Sequence, residues 1–500
     1  MGFLLGYDIG TSAVKVSLID TDGKLIASAT SPAENELTIS SPHTGWAEQH
    51  PELWWKHTVE VTHILHNKVG AKLNNVKAIG LSYQMHGLVL LDKKSNVLRP
   101  SIIWCDSRTN IIGIRAANSI GHKKCYEHLY NLPGNFTASK LAWVRAYERT
   151  VFEKTHKFMF PGDYIAYKLT GELNTTIPGL SEGMFWDYKT CGLAKFIFNY
   201  YNIPLDYVPP VVPVFGRQGT VSITAAKMMG IPAGIPLTYR GGDQPNNALS
   251  LNVLNPGEIA ATAGTSGVIC GVNKNIRYDP KSRVNIFAHV NYTAEHPNYC
   301  ALLCVNGTGV LNSWLRNELF NVSNNKFGYN EMNTIAATVP PGAGGVITIP
   351  FGNGAERTLE NLTTGTYFTG INFNLHTKAH IIRSAQEGIV YALYNGIGLM
   401  HEMGINVKKV RAGYANMFLS PVFRETFATM TNSTVELYNT DGAQGAARGA
   451  GIGAGIYSSF KDAFTGLKRI LVVEPNPKNR AVLMATYYNW KKVLSRIITK

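Results

Sequence analysis

Two short segments of this chain carry residues suited to holding a phosphate, and they are nearly one segment written twice. Asp8-Ile9-Gly10-Thr11-Ser12-Ala13-Val14 lies near the start, and Thr262-Ala263-Gly264-Thr265-Ser266-Gly267-Val268 lies just past the middle. In each, a glycine lets the backbone approach a ligand, and turn N–H groups with the Thr and Ser hydroxyls can surround an anion. The copies differ at one informative place, where Asp8 is replaced by Thr262. A carboxylate at the mouth of a phosphate turn repels phosphate unless a cation lies between them. Asp8 therefore reads as a Mg²⁺-site residue acting through water. The second turn, without that charge, suits direct phosphate contact. No Walker A pattern occurs in the chain, which argues against a P-loop NTPase. A second acid, Asp243, follows Gly241 and Gly242 where a strand gives way to a helix with Pro245 in its first turn. It reads either as a helix cap or as a general base that takes the proton of an attacking hydroxyl. Position and flanking glycines leave the two readings even.

The elements that must position these residues are legible from their spacing. Each turn follows an apolar stretch and leads into another, the pattern of strand, tight turn and returning strand. Val14, Val16 and Leu18 alternate with polar residues, and Asp22-Gly23 turns the chain into a third antiparallel strand. Pro51 opens a helix that Gly70 closes. Val76 to Tyr83 reads as a strand, so Gln84-Met85-His86-Gly87 falls at a strand junction. Helices are expected around Ser139–Tyr147 and Asp163–Lys168. Later come a long helix from Ala379 to Met403, a short strand Val407–Arg411, a turn at Gly413 and a helix Pro421–Met430. The small-residue helix Ala443–Gly455 carries alternate glycines that imitate a dinucleotide fingerprint. It does not directly follow a strand, so close helix packing is the better reading.

The repeat at half-length predicts two similarly built α/β domains facing a nucleotide cleft, and the turn Asn255-Pro256-Gly257 divides them into 1–254 and 255–500. A chain of 500 residues with 45% hydrophobic and 16% charged residues fits two such cores. The net charge of +14 comes from scattered Lys and Arg with only isolated pairs such as Lys93-Lys94. That field favours an anionic nucleotide rather than nucleic acid. The start, Met1-Gly2-Phe3-Leu4-Leu5, has no basic n-region and too short an apolar run to read as a signal peptide, and no uninterrupted apolar segment is long enough to be expected to span a membrane. The six cysteines form no CxxC pair and read as buried thiols in a reduced, cytosolic chain.

Taken in order, the duplicated turn, Gln84-Met85-His86-Gly87, Trp104-Cys105-Asp106-Ser107-Arg108-Thr109, Gly241-Gly242-Asp243 and Gly354-Ala355-Glu356-Arg357-Thr358 resemble the FGGY carbohydrate kinases. The resemblance runs from about residue 3 to residue 455, and within the family it is greatest to the xylulokinases. It implies two duplicated actin-like (hexokinase-type) ATPase domains around a central nucleotide and sugar cleft, with ATP as co-substrate and Mg²⁺ as cofactor. It also implies Asp243 as proton acceptor, which decides between the two readings above. Met85, His86, Trp104, Arg108, Asp243 and Gln244 are implied as sugar-site residues. Gly10, Thr11, Ser12, Gly264, Thr265 and Ser266 are implied as phosphate-site residues, and Gly413, Tyr414 and Asn416 as the adenosine side. Glu356 and Arg357 match a family motif, although an internal ion pair explains them equally well. Two positions depart from the xylulokinase pattern. Only one glycine remains in Ala412-Gly413-Tyr414-Ala415-Asn416, and Gln244 with Asn416 is similar to glycerol kinases. The expected partners are a small sugar and ATP, without nucleic acid or membrane, and with a homodimer among the open assemblies.

Overall fold

The computed structural model describes residues 2–34, 36–275, 277–320 and 328–499. Met1 and Lys500, which bound the two expected domains, lie outside the described residues. In chain order the elements that matter here begin with β1 (Phe3–Ile9), β2 (Val14–Asp20), β3 (Leu25–Ser31), α1 (Pro51–Val69), β4 (Val76–Tyr83) and α2 (Thr137–Tyr147). Next come α3 (Ile177–Glu182), β5 (Phe215–Thr220), β6 (Pro236–Gly242), α4 (Asp243–Ser250), β7 (Glu258–Ala263), β8 (Gly267–Asn273) and β9 (Tyr299–Val305). The rest are α5 (Gly309–Trp314), α6 (Lys378–Glu402), β10 (Lys409–Gly413), β11 (Val435–Tyr438), α7 (Gly442–Gly453) and β12 (Arg469–Val473).

The chain forms two compact units. The first comprises Met1–Asn252, Phe287–Asn298 and Thr440–Leu467; the second comprises Val253–Ile286, Tyr299–Asn439 and Lys468–Lys500. In the first unit the sheet order is β5-β6-β4-β1-β2-β3. Here β1, β2 and β3 are antiparallel neighbours, β4 and β6 run parallel to β1, and β5 is antiparallel to β6. In the second unit β12-β11-β10-β7-β8-β9 lie side by side in that order. The directions repeat strand for strand: β7, β8 and β9 are antiparallel neighbours, β10 and β11 run parallel to β7, and β12 is antiparallel to β11. The duplicated turn is thus one part of a duplicated sheet.

The near-continuous apolar run of β1 reflects cover on both of its faces. On one face Tyr7 Oη meets Thr62 Oγ1 of α1 at 2.8 Å. On the other, α7 lies so close that a Cβ added to Gly6 or to Gly80 would fall 2.0 Å from the carbonyl oxygens of Ala443 and Ala446 respectively. The alternate glycines of α7 take part in the same close packing, since a Cβ on Gly453 would lie 1.9 Å from Thr238 O.

In the second unit Cys270 of β8 and Cys300 of β9 form a disulfide, with Cα atoms 5.7 Å apart. This corrects the expectation of thiols throughout. Neighbouring antiparallel strands bring the two residues within bridging distance, which their separation of 30 residues in sequence conceals. Cys125 is a buried thiol, whereas Cys105 and Cys191 are exposed. Among the described residues no helix is long and apolar enough to cross a membrane.

Candidate active site

The parallel strands of the first unit end at one level. Asp8 of β1 and Gly241 of β6 both pair with Ser82 of β4, so the chemistry-bearing segments that follow emerge together at the carboxyl ends of the strands. That is where α/β sheets bind ligands. Asp8 accepts a hydrogen bond from Ser82 Oγ at 2.7 Å. Asp243 is the first residue of α4, and Gly242 occupies the N-cap position. Its Oδ1 is buried without a hydrogen-bond partner. Burial, reinforced by the negative charge of Asp8, pushes the Asp243 carboxyl up to about 7, against hydrogen bonds from Gln244. Burial also raises Asp8; Ser82 and Lys15 oppose the rise and Asp441 adds to it. Asp441 caps α7 by accepting from Gln444 N at 2.8 Å, and a Cβ on Gly442 would stand 2.5 Å from Asp8 Oδ2. An unpartnered carboxylate oxygen with a pKa near neutrality can take a proton, and a neighbouring cluster of acids attracts a cation.

Around these acids the first turn is built into the protein. The Thr11 hydroxyl donates to Gln84 Oε1 at 3.2 Å and accepts from Trp104 Nε1 at 2.9 Å. Gln49 Nε2 donates to Thr11 O at 2.8 Å. Gly10 N–H closes the turn on Ala13 O at 3.0 Å, and Ser12 O accepts from Leu37 N at 2.8 Å. Met85 is buried against β6, where a Cβ on Gly242 would lie 2.7 Å from its Cγ. His86 adopts φ 63. Its ring packs against Phe136 and Phe287, with centroids 5.0 and 5.2 Å away.

Trp104 is 51% exposed. Arg108, by contrast, is enclosed. It pairs with Asp106 at 2.7 Å and Glu48 at 2.8 Å, and its guanidinium carbon sits 3.6 Å from the Trp46 ring centroid. Its pairing with Asp106 and Glu48 places it behind the loop that carries Trp104. Gln244 stands half-buried on the first turn of α4.

In the second unit the Gly264-Thr265-Ser266 turn joins β7 to β8. Gly264 O accepts from Gly309 N at 2.9 Å and Thr265 O from Val310 N at 3.1 Å, so α5 begins against the turn. Asn416, at φ 54, lies beside it: a Cβ on Gly264 would be 3.5 Å from Asn416 Nδ2. Gly413 ends β10, and exposed Tyr414 donates its N–H to Tyr438 O at 2.8 Å. Glu356 accepts from Asn306 N at 2.9 Å and Thr358 Oγ1 at 3.0 Å, while Arg357 Nη1 donates to Asn285 Oδ1 at 3.0 Å. Each of these two charged residues has its own partners.

Residue spacing did not reveal Glu182 or Lys140. Glu182 ends α3 with its side chain buried; its Oε1 accepts from His86 N at 3.2 Å. Burial holds its carboxyl well above the ordinary range. A lone acid within Gly179-Leu180-Ser181-Glu182-Gly183-Met184-Phe185 was the available signal, because an apolar stretch rarely buries a charge without a task. Lys140 within Ala138-Ser139-Lys140-Leu141-Ala142-Trp143 carries the same kind of signal.

The sequence pattern of the FGGY family of carbohydrate kinases, N-terminal domain, matches residues 3–250, and that of the C-terminal domain matches residues 259–457. The chain is 28% identical over 453 residues to the xylulose kinase of Escherichia coli (strain K12), covering 89% of this chain and 88% of that one. It is 28% identical over 509 residues to the xylulose kinase of Klebsiella pneumoniae, covering 99% and 98%. Among solved structures, xylulose kinase from Rhodospirillum rubrum superposes with a TM-score of 0.87 at 25% identity over 100% of both chains. Gluconate kinase from Lactobacillus acidophilus, at 22% identity and TM-score 0.88 over 99% and 98%, shares the fold.

Proposed function

Because the chain belongs to the FGGY family of carbohydrate kinases, we propose that it transfers the γ-phosphoryl group of ATP to D-xylulose, giving D-xylulose 5-phosphate. The observation that carries this reading is Asp243. It follows two glycines at a strand end, with one buried, unpartnered carboxylate oxygen and a pKa near 7. A sugar hydroxyl is a poor nucleophile, and a carboxylate poised in this way accepts its proton as the phosphoryl group moves. Met85 and the exposed ring of Trp104 offer the sugar apolar faces, and His86 and Gln244 supply polar edges; Arg108 acts through Asp106 on the loop that carries Trp104. The family resemblance and the two xylulose kinases similar over most of this chain support the choice of sugar.

On the nucleotide side, Gly264, Thr265 and Ser266 suit the phosphates, and Gly413, Tyr414 and Asn416 suit the adenosine. Gly10, Thr11 and Ser12 of the first turn suit a phosphate as well. Among the described residues no group of three His, Cys, Asp or Glu side chains is arranged to hold a metal by itself. Asp8, whose carboxyl Asp441 pushes up and which itself pushes up that of Asp243, nevertheless fits a Mg²⁺ that keeps its waters and is shared with phosphate. Bound there through Asp8, Mg²⁺ would neutralise charge on the phosphates.

A panel of D-xylulose, D-ribulose, L-ribulose, L-fuculose, D-gluconate and glycerol, screened by ATP-dependent ADP release, tests this reading. D-xylulose is expected to give the highest kcat/KM. A clear win for glycerol would overturn it and make Gln244 and Asn416 the better guides.

A further inference from the structure

Behind the proposed sugar site, the short segment Asn135–Lys140 touches both loops that form its wall. Lys140 of α2 is fully buried, yet its Nζ donates to His86 O at 2.8 Å and to Ile103 O at 2.9 Å. These carbonyls belong to separate loops, one carrying Met85-His86 and the other leading into Trp104. One turn earlier on the same face, Phe136 sets its ring edge-on against the His86 ring. Asn135 donates from Nδ2 to Asp106 O and accepts from Thr109 Oγ1 at 2.5 Å, bracing the second loop again.

His86 is the residue most in need of such support. A non-glycine residue at φ 63 is held there by its surroundings. Its N–H is taken by Glu182 Oε1 and its Nδ1 lies 3.0 Å from Glu182 O, so Glu182 and Lys140 hold it from opposite ends. Removing an ammonium from water is costly. Burial pulls the Lys140 pKa down to about 7, a drop to which Arg108 adds and which Asp106, Cys105 and Glu182 oppose. In its protonated form the amine closes both loop carbonyls in a charge-assisted joint stronger than neutral hydrogen bonds would make.

We propose that Lys140 is a positioning residue for the sugar, locking the Met85-His86 turn and the Ile103-Trp104 loop into one wall on which affinity for sugar depends. The proposal rests on the reading that Met85 and His86 contact the sugar. Lys140→Met keeps the length of the side chain and removes the ammonium. It is expected to raise KM for D-xylulose roughly ten- to hundredfold, the effect of losing charged hydrogen bonds, while KM for ATP stays unchanged. A loss of folded protein alone would lower the apparent kcat without this split. A folded Lys140→Met with unchanged KM for D-xylulose would overturn the proposal.

Phe136→Leu removes the ring that supports His86, together with its edge contact to Phe287, and leaves the Lys140 ammonium in place; it decides the matter if Lys140→Met does not fold. It should weaken D-xylulose binding in calorimetry, and unchanged binding would overturn the proposal. Met85→Ala separates the two levels of the argument. If it leaves KM for D-xylulose unchanged, the site reading itself fails; if it raises KM and Lys140→Met does not, only the positioning role fails.

Discussion

The two Gly-Thr-Ser turns sit at corresponding points of sheets with matching strand order and direction, yet their surroundings are chemically opposite. The first follows Asp8, whose carboxyl is affected by Asp441 and itself raises that of Asp243. Its threonine hydroxyl is already engaged by Gln84 and Trp104. The second follows Thr262 and is backed by the first residues of α5 and by Asn416. One scaffold thus presents an acidic strand end in one unit and a neutral, amide-lined one in the other. The lesson is that backbone topology supplies the place, and single side chains at the strand ends decide which ligand charge it accepts.

The largest effect expected from breaking this contrast is at Asp243. Asp243→Asn keeps shape and removes basicity, so kcat with D-xylulose should fall about 10²–10⁴-fold while ATP still binds. In the unaltered enzyme kcat/KM should rise with pH through about 7 as the carboxyl loses its proton; near-normal turnover by the variant would show that another residue is the base.

Asp8→Ala should lose most activity while calorimetric sugar binding without nucleotide stays nearly intact, because Asp8 is proposed to act through Mg²⁺ and phosphate. Abolished sugar binding in the folded variant would place Asp8 on the sugar side instead. The reciprocal change, Thr262→Asp, gives the second turn the acid of the first. Like-charge repulsion of a few kcal/mol should raise KM for ATP by about tenfold or more, and an unchanged value would remove this turn from the phosphate site.

A smaller effect appears in stability. The Asp243 carboxyl has a raised pKa in the fold, so its favourable contribution is complete below the ordinary Asp range and is lost as pH rises through about 7. Asp243→Asn should therefore raise Tm relative to the parent at pH 8 more than at pH 5, as read by thermal unfolding at both.

The least effect distinguishes the turns themselves. Gly10→Ala brings a Cβ 2.9 Å from Ala13 O, whereas Gly264→Ala meets Asn416 Nδ2 at an ordinary 3.5 Å. Urea unfolding should show a cost of about 1–3 kcal/mol for the first and within about 0.5 kcal/mol for the second.

By itself, the sequence determined what depends on neighbours along the chain. The strand-turn-strand units, the helix opened by Pro51 and closed by Gly70, and the strand-to-helix junction at Asp243 follow from side-chain period, proline and glycine acting over a few residues. The family resemblance rests on the same local motifs. Tertiary structure decided what joins distant residues. Lys140 reaches His86 across 54 positions, and Glu182 reaches it across 96. Arg108 is enclosed by Glu48 and Trp46, and Cys270 is brought beside Cys300 by strand pairing. Helix α7 leaves the second half of the chain to pack on the first sheet, where Gly6 and Gly80 admit it. Local periodicity specifies which face of an element is apolar but not which partner will cover it. A buried charge, an ion pair or a close backbone approach is settled only when the packed chain removes water and leaves one partner within reach.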